Sequence, residues 1–386
     1  MFNIIITGLV SLLTDISTEM VYPLIPLYLA TLGAQPTTLG LIEGLAESSA
    51  SLLKFFSGSI SDQFRRRKPI VVLGYVGSTI GKFLLYISHG WHLVFAGRMI
   101  DRVGKGIRVA PRDALIADYS PSGARGKAFG IHRALDTLGA TFGVVIAIAI
   151  VQHIGKNLNH SGYQRIFLIS LFPALLGVLL LFWLKEAKKS LDSKKTPPPK
   201  ISFQNLSPKL RNFLIVVGLF ALGNSSNQFL LFRMQKVGWA TVNILLLYLL
   251  YNLTYATLSY PAGRLADKIG KKKLLITGYI VYGLVYWGFT LMGKFNHLTL
   301  LPYLLFASYG VYSALTEGLE KALVAEIAPE NQRASLIGLH ATVTGTGLFL
   351  ASLIAGGLWN IFGPNAPFWF GSALGITAAL CLFLLL

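Results

Sequence analysis

GRLADKIGKKKL (residues 263–274) has a counterpart in the other half of the chain, GSISDQFRRRKP (residues 58–69). Gly58 aligns with Gly263 and Asp62 with Asp267, an offset of 205. A second pair of stretches, ALIADYSPSGARGKAFGIH (114–132) and ALVAEIAPENQRASLIGLH (322–340), aligns at an offset of 208. It sets Pro121 on Pro329, Arg125 on Arg333, Gly130 on Gly338 and His132 on His340. Two matches at nearly one offset mark an internal duplication in parallel orientation, and such repeats place a substrate path at the interface between the halves.

The surroundings of these stretches say what is duplicated. The chain has 386 residues, of which 53% are hydrophobic and 13% charged, and its mean hydropathy is +0.60. Apolar runs of about twenty residues recur along its length, each long enough to span a bilayer as a helix. Turn signals divide them into twelve expected spans near 3–31, 38–60, 69–88, 91–112, 127–151, 164–184, 212–235, 239–261, 273–292, 298–322, 334–358 and 364–386. KEAKKSLDSKKTPPPKISFQNLSPKLR (185–211) reads as a solvated, Lys- and Pro-rich linker with a short surface helix near its end. The expected organisation is a six-helix bundle over 1–185, a cytoplasmic linker over 186–210 and a second six-helix bundle over 211–386.

The formal net charge of +18 would suggest nucleic acid in a soluble protein, but its distribution argues otherwise. About twenty Lys and Arg fall in alternate loops on one side, the asymmetry expected of cytoplasmic loops. The opposite loops hold Lys156, Arg165, Lys236 and Lys294. The charge therefore reads as topology with some attraction to anionic headgroups. It places both termini in the cytoplasm and the protein in the cytoplasmic (inner) membrane, with no nucleic-acid partner. The start, MFNIIITGLVSLLTDIS, lacks a basic n-region and a small-residue cleavage site, so it reads as the first span. Cys381 is the single cysteine, which leaves no internal disulfide and no Cys-based metal site. No cofactor or metal is expected.

The spacing G-x-x-x-D-x-x-G-[RK]-[RK], between the second and third spans and again between the eighth and ninth, resembles motif A of the major facilitator superfamily. The copy from Gly263 to Lys272 matches closely, while Arg65 stands in the first copy where a glycine is usual. The resemblance covers essentially the whole chain and, within the superfamily, is strongest to the drug/proton antiporter-like branch. It implies an all-α membrane fold of twelve transmembrane helices in two pseudo-symmetric six-helix bundles. It also implies a gating role for Gly58, Asp62, Arg66, Gly263, Asp267 and Lys271. Read physically, Gly58 and Gly263 would let helices approach closely, and Asp62 and Asp267 would cap or pair at helix ends.

RVGKGIRVA (102–110) resembles motif B, R-x-x-Q-G-x-G-x-A, with Arg102 as the motif arginine and Gly106 as its glycine. Lys105 replaces the usual Gln and Arg108 a small residue. The family associates this arginine with proton coupling. A phosphate-loop reading of the same stretch fails, because no G-x-x-x-x-G-K-[ST] follows a strand. GATFG (139–143) resembles the glycine spacing of motif C, the antiporter motif, but Val144 occupies the proline position. Gly139 and Gly143 also suit a plain helix-packing face.

Charges inside apolar spans cost about 2.5–3.5 kcal/mol each on insertion scales, so each needs a partner or a wet cavity. Asp15 and Glu19 lie one helical turn apart in the first span. They are candidates for reversible protonation together with Arg102, the alternative being a structural ion pair with a fixed arginine. Pro23 and Pro26 follow and predict a kink. Glu43, Glu47 and Lys54 share one face of the second span. The two glutamates are expected to line an external vestibule or, alternatively, to pair with Lys82 or Arg98. Arg98 in the fourth span, Arg133 and Asp136 in the fifth, Asn224, Asn227 and Gln228 in the seventh, and Asn252 and Tyr255 in the eighth complete the candidate substrate contacts. His132 and His340 are taken as structural.

Acid–base groups thus concentrate in the first half and neutral polar groups in the second, which points to a polar, perhaps anionic, solute. The expected function is proton-coupled secondary transport of a small organic solute by alternating access, most simply export by antiport, in a monomer. Import of an organic anion or metal chelate is the alternative. A channel fits less well, a membrane enzyme would need a clustered constellation that the scattered histidines do not supply, and a non-transporting sensor would usually carry an added soluble domain.

Overall fold

A backbone that crosses lipid must satisfy its own hydrogen bonds, which for single segments means a helix. The computed structural model describes residues 2–64, 67–120, 125–155, 158–185, 206–293, 300–329 and 332–386, without the side chains of 55, 58–64, 125–127 and 333–335. Among the described residues every long element is helical and none is a strand. The helices are α1 (Phe2–Val21), α2 (Ile25–Thr31), α3 (Pro36–Phe64), α4 (Lys68–Tyr86), α5 (Trp91–Tyr119), α6 (Arg125–Ile154) and α7 (His160–Leu180). They continue with α8 (Pro208–Gly223), α9 (Gln228–Lys236), α10 (Thr241–Ile269), α11 (Lys271–Thr290), α12 (Leu300–Ile327), α13 (Arg333–Phe362) and α14 (Ala366–Leu385).

Fourteen described helices make twelve spans because two spans are broken. The 3-10 turn Tyr22–Leu24, which carries Pro23, interrupts the first between α1 and α2. Residues 224–227 unwind the seventh between α8 and α9. These are corresponding spans of the two repeats, and the breaks fall at nearly corresponding positions.

Several helices outrun their apolar stretches at the Lys/Arg-rich end. α3 reaches Phe64, α5 Tyr119, α10 Ile269 and α12 Ile327, where hydropathy had placed ends near 60, 112, 261 and 322. Pro111 lies inside α5 rather than at its exit. The apolar pattern reports the lipid boundary, whereas helical hydrogen bonding continues past it as long as no breaker intervenes. The seventh span starts earlier than expected for the same reason. Ser207 caps α8 by accepting from the Leu210 amide at 3.4 Å, so residues 208–211 form its first turn rather than a separate surface helix. Linker residues 186–205 lie outside the described residues.

The chain separates into two compact units. The first takes in the described residues of Met1–Ala34, Leu45–Lys194 and Ala240–Leu245, and the second those of Gln35–Gly44, Lys195–Trp239 and Leu246–Leu386. Within the first unit α1 packs on α6 and α7, and α4 on α5 and α7. Within the second, α8 packs on α13 and α14, and α11 on α12 and α14. The two neighbour maps are identical once the repeats are superposed, so the duplication read from short motifs extends to packing.

Glycine sets the closest of these seams. A Cβ at Gly81 would lie 2.5 Å from the Gly97 carbonyl oxygen, and one at Gly97 would lie 2.7 Å from that of Gly81. One heptad away, Gly74 and Gly104 meet in the same reciprocal way, at 2.6 and 2.5 Å from each other's carbonyl oxygens. α4 and α5 therefore touch backbone to backbone. Gly139 and Gly143 likewise seat α6 on Leu12 and Ile16 of α1, as their packing-face reading expected. Outward-facing Leu73, Phe172, Phe182, Leu284, Leu304 and Phe383 are each more than half exposed, the surface a lipid solvent requires.

Candidate functional site

The α4–α5 seam brings charged side chains into the first unit's interior. Arg98 is 1% exposed and Arg102 3%. The two share one carboxylate oxygen of Glu47, Oε1, which is 3.5 Å from Arg98 Nη2 and 3.3 Å from Arg102 Nε. They also share Asp101 Oδ2, at 3.7 and 3.5 Å. The ring of Tyr22, in the broken turn of the first span, lies under both guanidinium groups, with centroids 5.2 and 5.7 Å away. The break thus sets an aromatic face against the arginine pair.

Arg108, also buried, donates to Ser78 Oγ and lies 4.4 Å over the Tyr75 ring. Ser78 in turn donates to the Asp101 carbonyl at 3.2 Å. Lys82 is 2% exposed, and its Nζ has no hydrogen-bond partner among the described residues. It sits in the electrostatic field of Asp101, Asp15, Arg102 and Arg108. Asp15 itself is half-buried among Asp136, Lys105, Glu19 and Arg108. Among the described residues the cations Lys82, Arg98, Arg102, Lys105 and Arg108 are set among the carboxylates Asp15, Glu19, Glu47, Asp101 and Asp136. Buried ions persist only when paired or hydrogen-bonded, and here acids and bases are interleaved so that each charge has an opposite one nearby.

A second relay lies beside it. Ser11 Oγ donates to Asp136 and accepts from Arg112 Nη1 at 3.2 Å, and His132 Nδ1 is 3.8 Å from Asp136. Arg133, the next residue, is exposed and stands apart from this relay. Lys54 is exposed on α3, while Glu43, expected on an open vestibule, is fully buried and groups with the second unit.

In the second unit the unwound residues 224–227 face tyrosines. Asn224 Nδ2 donates to Tyr312 Oη at 3.0 Å, and Asn227 accepts from Tyr309 Oη at 2.7 Å while donating to Tyr251 Oη at 3.4 Å. Tyr282 Oη bonds the Gly223 carbonyl freed by the break, at 2.7 Å. Such repair is what allows a broken helix at membrane depth. Gln228 is fully buried at the start of α9. Asn252 is half-buried with Nδ2 unsatisfied, and Tyr255 donates to Glu317 at 2.8 Å.

Sequence reasoning missed the tyrosine shelf behind these amides. Tyr282 and Tyr286 pack with Tyr309 and Tyr312, with ring centroids 4.2–6.3 Å apart among the pairs Tyr282–Tyr286, Tyr282–Tyr312, Tyr286–Tyr309 and Tyr309–Tyr312, and Tyr279 joins through Phe220, on which it stacks at 4.0 Å. Its signal was present: positions 279, 282 and 286 are spaced three and four, one face of a helix.

At the Lys/Arg-rich end the described residues of the duplicated loop form ion pairs in both units. Arg67 Nη1 is 3.0 Å from Asp118 in the first, and Lys271 Nζ is 2.7 Å from Glu326 and 3.9 Å from Asp267 in the second. Asp118 and Glu326 are repeat mates. Gly263 does not serve close helix approach: a Cβ there would meet nothing within 4 Å. α10 and α12 touch instead at Gly310, whose Cβ would lie 2.7 Å from Thr254 Cβ. They then diverge around a cavity of about 320 Å³ lined by Tyr255, Gly263, Asp267, Lys271 and Gly318. Gly58 and Asp62 are placed in α3 by backbone only, and Arg66 lies outside the described residues. Because Glu326 is 60% exposed, Lys271→Ala is expected to change unfolding stability by less than about 1 kcal/mol, read from thermal unfolding in detergent.

A family model described as Major Facilitator Superfamily matches residues 7–318 and 213–386. An uncharacterized MFS-type transporter of Methanocaldococcus jannaschii is 38% identical over 386 residues, covering 98% of this chain and 94% of the relative. The quinolone resistance protein NorA of Staphylococcus aureus is 24% identical over 396 residues, covering 93% and 90%. Among solved structures, a nucleoside transporter, NupG, superposes with a TM-score of 0.80 at 13% identity, over 100% of this chain and 99% of that one. A D-xylose-proton symporter superposes with a TM-score of 0.75 at 17% identity, over 100% and 98%.

Proposed function

The chain belongs to the Major Facilitator Superfamily, and we propose that it is a proton-coupled carrier of a small organic anion working by alternating access. It is a multi-pass membrane transporter and not an enzyme. The observation that carries the coupled reading is the sharing of Glu47 and Asp101 by Arg98 and Arg102. A carboxylate held between two arginines can be exchanged for a substrate carboxylate, provided a proton neutralises the displaced acid. Asp15 and Glu19, one turn apart beside Lys105, supply a nearby place for that proton, and Arg102 links it to the shared pair. Glu47, Lys54, Arg98, Asp136, Asn224, Asn227, Gln228, Asn252 and Tyr255 are the proposed substrate-facing groups. Arg133, exposed on α6, is kept as a proposed contact on the solute's route.

The proposed direction is export by proton antiport, supported by the likeness to NorA, a quinolone resistance protein. The buried arginine pair favours a second reading, import of an anion with protons. We place the protein in the cytoplasmic membrane as a monomer with its Lys/Arg-rich loops inside, on the positive-inside asymmetry. The ion pairs of Asp118 and Lys271 are proposed as cytoplasmic gate contacts.

Flux in proteoliposomes under an imposed pH gradient tests the coupling. Wild-type flux of a citrate-like anion is expected to follow the gradient, and Asp15→Asn with Glu19→Gln is expected to make it gradient-independent. Wild-type flux indifferent to the gradient would sink the coupled reading. The sign of the gradient that drives accumulation decides between export and import.

A further inference from the structure

The second unit holds a buried acid–base pair that the reading above leaves unused. Glu320 on α12 and His340 on α13 occupy the repeat positions of Arg112 and His132. Glu320 Oε1 accepts from the Tyr279 hydroxyl at 2.9 Å, and Oε2 lies 3.1 Å from His340 Nε2. His340 is 2% exposed and Glu320 8%. The other ring nitrogen, His340 Nδ1, is buried and has no hydrogen-bond partner among the described residues.

With Glu320 ionised, the carboxylate only accepts, so the proton of neutral His340 then sits on Nε2 and is donated to it, which leaves the Nδ1 lone pair bare. A proton arriving at Nδ1 creates an imidazolium whose charge is answered at once by the carboxylate 3.1 Å away. An ion inside a low-dielectric interior is tolerated on that condition.

The groups around the pair do not oppose this. α11 contributes Tyr279, and α12 itself contributes Tyr312 and, further along, Glu317, both within electrostatic reach of one another. Lys321, adjacent on α12, is exposed. α8 faces the pair with Phe220, stacked on Tyr279 at 4.0 Å, and with Asn224, bound to Tyr312. α10 offers Tyr255, held by Glu317, and α14 carries no acidic or basic side chain. The first unit differs: Arg112 stands where Glu320 does, so a proton on His132 would meet a fixed positive charge as well as Asp136, 3.8 Å away.

We propose that Glu320 and His340 form a second proton-binding site, taking up one proton at His340 Nδ1 and releasing it from the same atom, with Tyr279 as the residue that fixes the carboxylate. One N–H bond forms on loading and breaks on release, and the proton exchanges with water. As a transport element this site rests on the proton-coupled reading, but its titration does not.

The test uses the full chain in lipid nanodiscs with ¹⁵N-labelled histidine. His340→Asn identifies the His340 signal by its loss. In the wild type that signal is expected to pass between neutral and protonated forms within the pH range where the protein stays folded. The transition is expected to be lost in Glu320→Gln and displaced in Tyr279→Phe. A wild-type His340 signal that stays in one form throughout overturns the proposal, whether or not either variant folds. Gradient-driven flux alongside a silent His340 would leave carrier coupling standing without this site. A titrating His340 in a protein whose flux ignores the gradient would keep the site and remove the coupling.

Discussion

Arg98→Gln will lower the stability of the purified protein by about 1–3 kcal/mol, because it removes one of the two arginines that share Glu47 and Asp101 and leaves Arg102 to answer both. Arg98 is almost fully enclosed and faces Glu47 and Asp101 at once. Neutral glutamine fills part of the space but answers neither charge. Glu47→Gln added to Arg98→Gln should restore much of the stability, since Arg102 then has Asp101 alone to answer, and it should not restore transport. Replacing both Arg98 and Arg102 by Gln is expected to abolish anion flux altogether. Thermal unfolding in detergent separates the stability effect, and proteoliposome flux of the Glu47-compensated protein isolates the functional one. Anion flux that survives the double arginine replacement would end the anion-binding reading.

The second large effect concerns glycine, and its sign depends on position. Gly97→Ala places a Cβ 2.7 Å from the Gly81 carbonyl oxygen and 3.2 Å from Leu85 Cγ. The first of these is backbone and cannot turn aside, so α4 and α5 must separate, at a cost of about 1–3 kcal/mol. The charge cluster should suffer too, because Lys82 and Ser78 on α4 meet Asp101 and Arg108 on α5 across this seam. Gly263→Ala is the control. It meets nothing within 4 Å and sits in a helix interior, where alanine is favoured over glycine by about 1 kcal/mol. Unfolding midpoints of the two variants are therefore expected to move in opposite directions. A fall for Gly263→Ala would mean that its open face closes against another element.

The fold was legible because two independent signals agreed. Twelve apolar stretches gave the count, and the GRLADKIGKKKL and ALVAEIAPENQR repeats gave the division into halves. Helix apolarity alone would have fallen short. Among the described residues eight spans are long and apolar enough by themselves, and the spans built on α3, α5, α11 and α12 fall outside that set. α5 supplies most of the charge cluster, with Arg98, Asp101, Arg102, Lys105 and Arg108, and α3 adds Glu47, so part of their low hydropathy belongs to that cluster.

The site was only partly legible. Helical spacing put Asp15 with Glu19 and Glu47 with Lys54, since neighbours on one helix follow from period alone. It could name Arg98 as a partner for a second-span glutamate, which Glu47 proves to be. It could not foresee that Glu43, one turn away, would be fully buried. His340 reads from the sequence as a structural residue, and no local feature ties it to Glu320. What couples them is a tyrosine on a third helix, and nothing in local spacing reports a contact between residues 279, 320 and 340.

The sequence by itself determined the number of spans, the duplication, the break announced by Pro23, and the family. These depend on local periodicity, breakers and repeated motifs, which the chain carries in linear form. Only the tertiary structure decided which buried charges share partners, which glycines bring helices together and which leave them apart, and where a histidine nitrogen is left bare. Those outcomes depend on distances between helices far apart in the chain, and such distances arise only when packed faces choose each other.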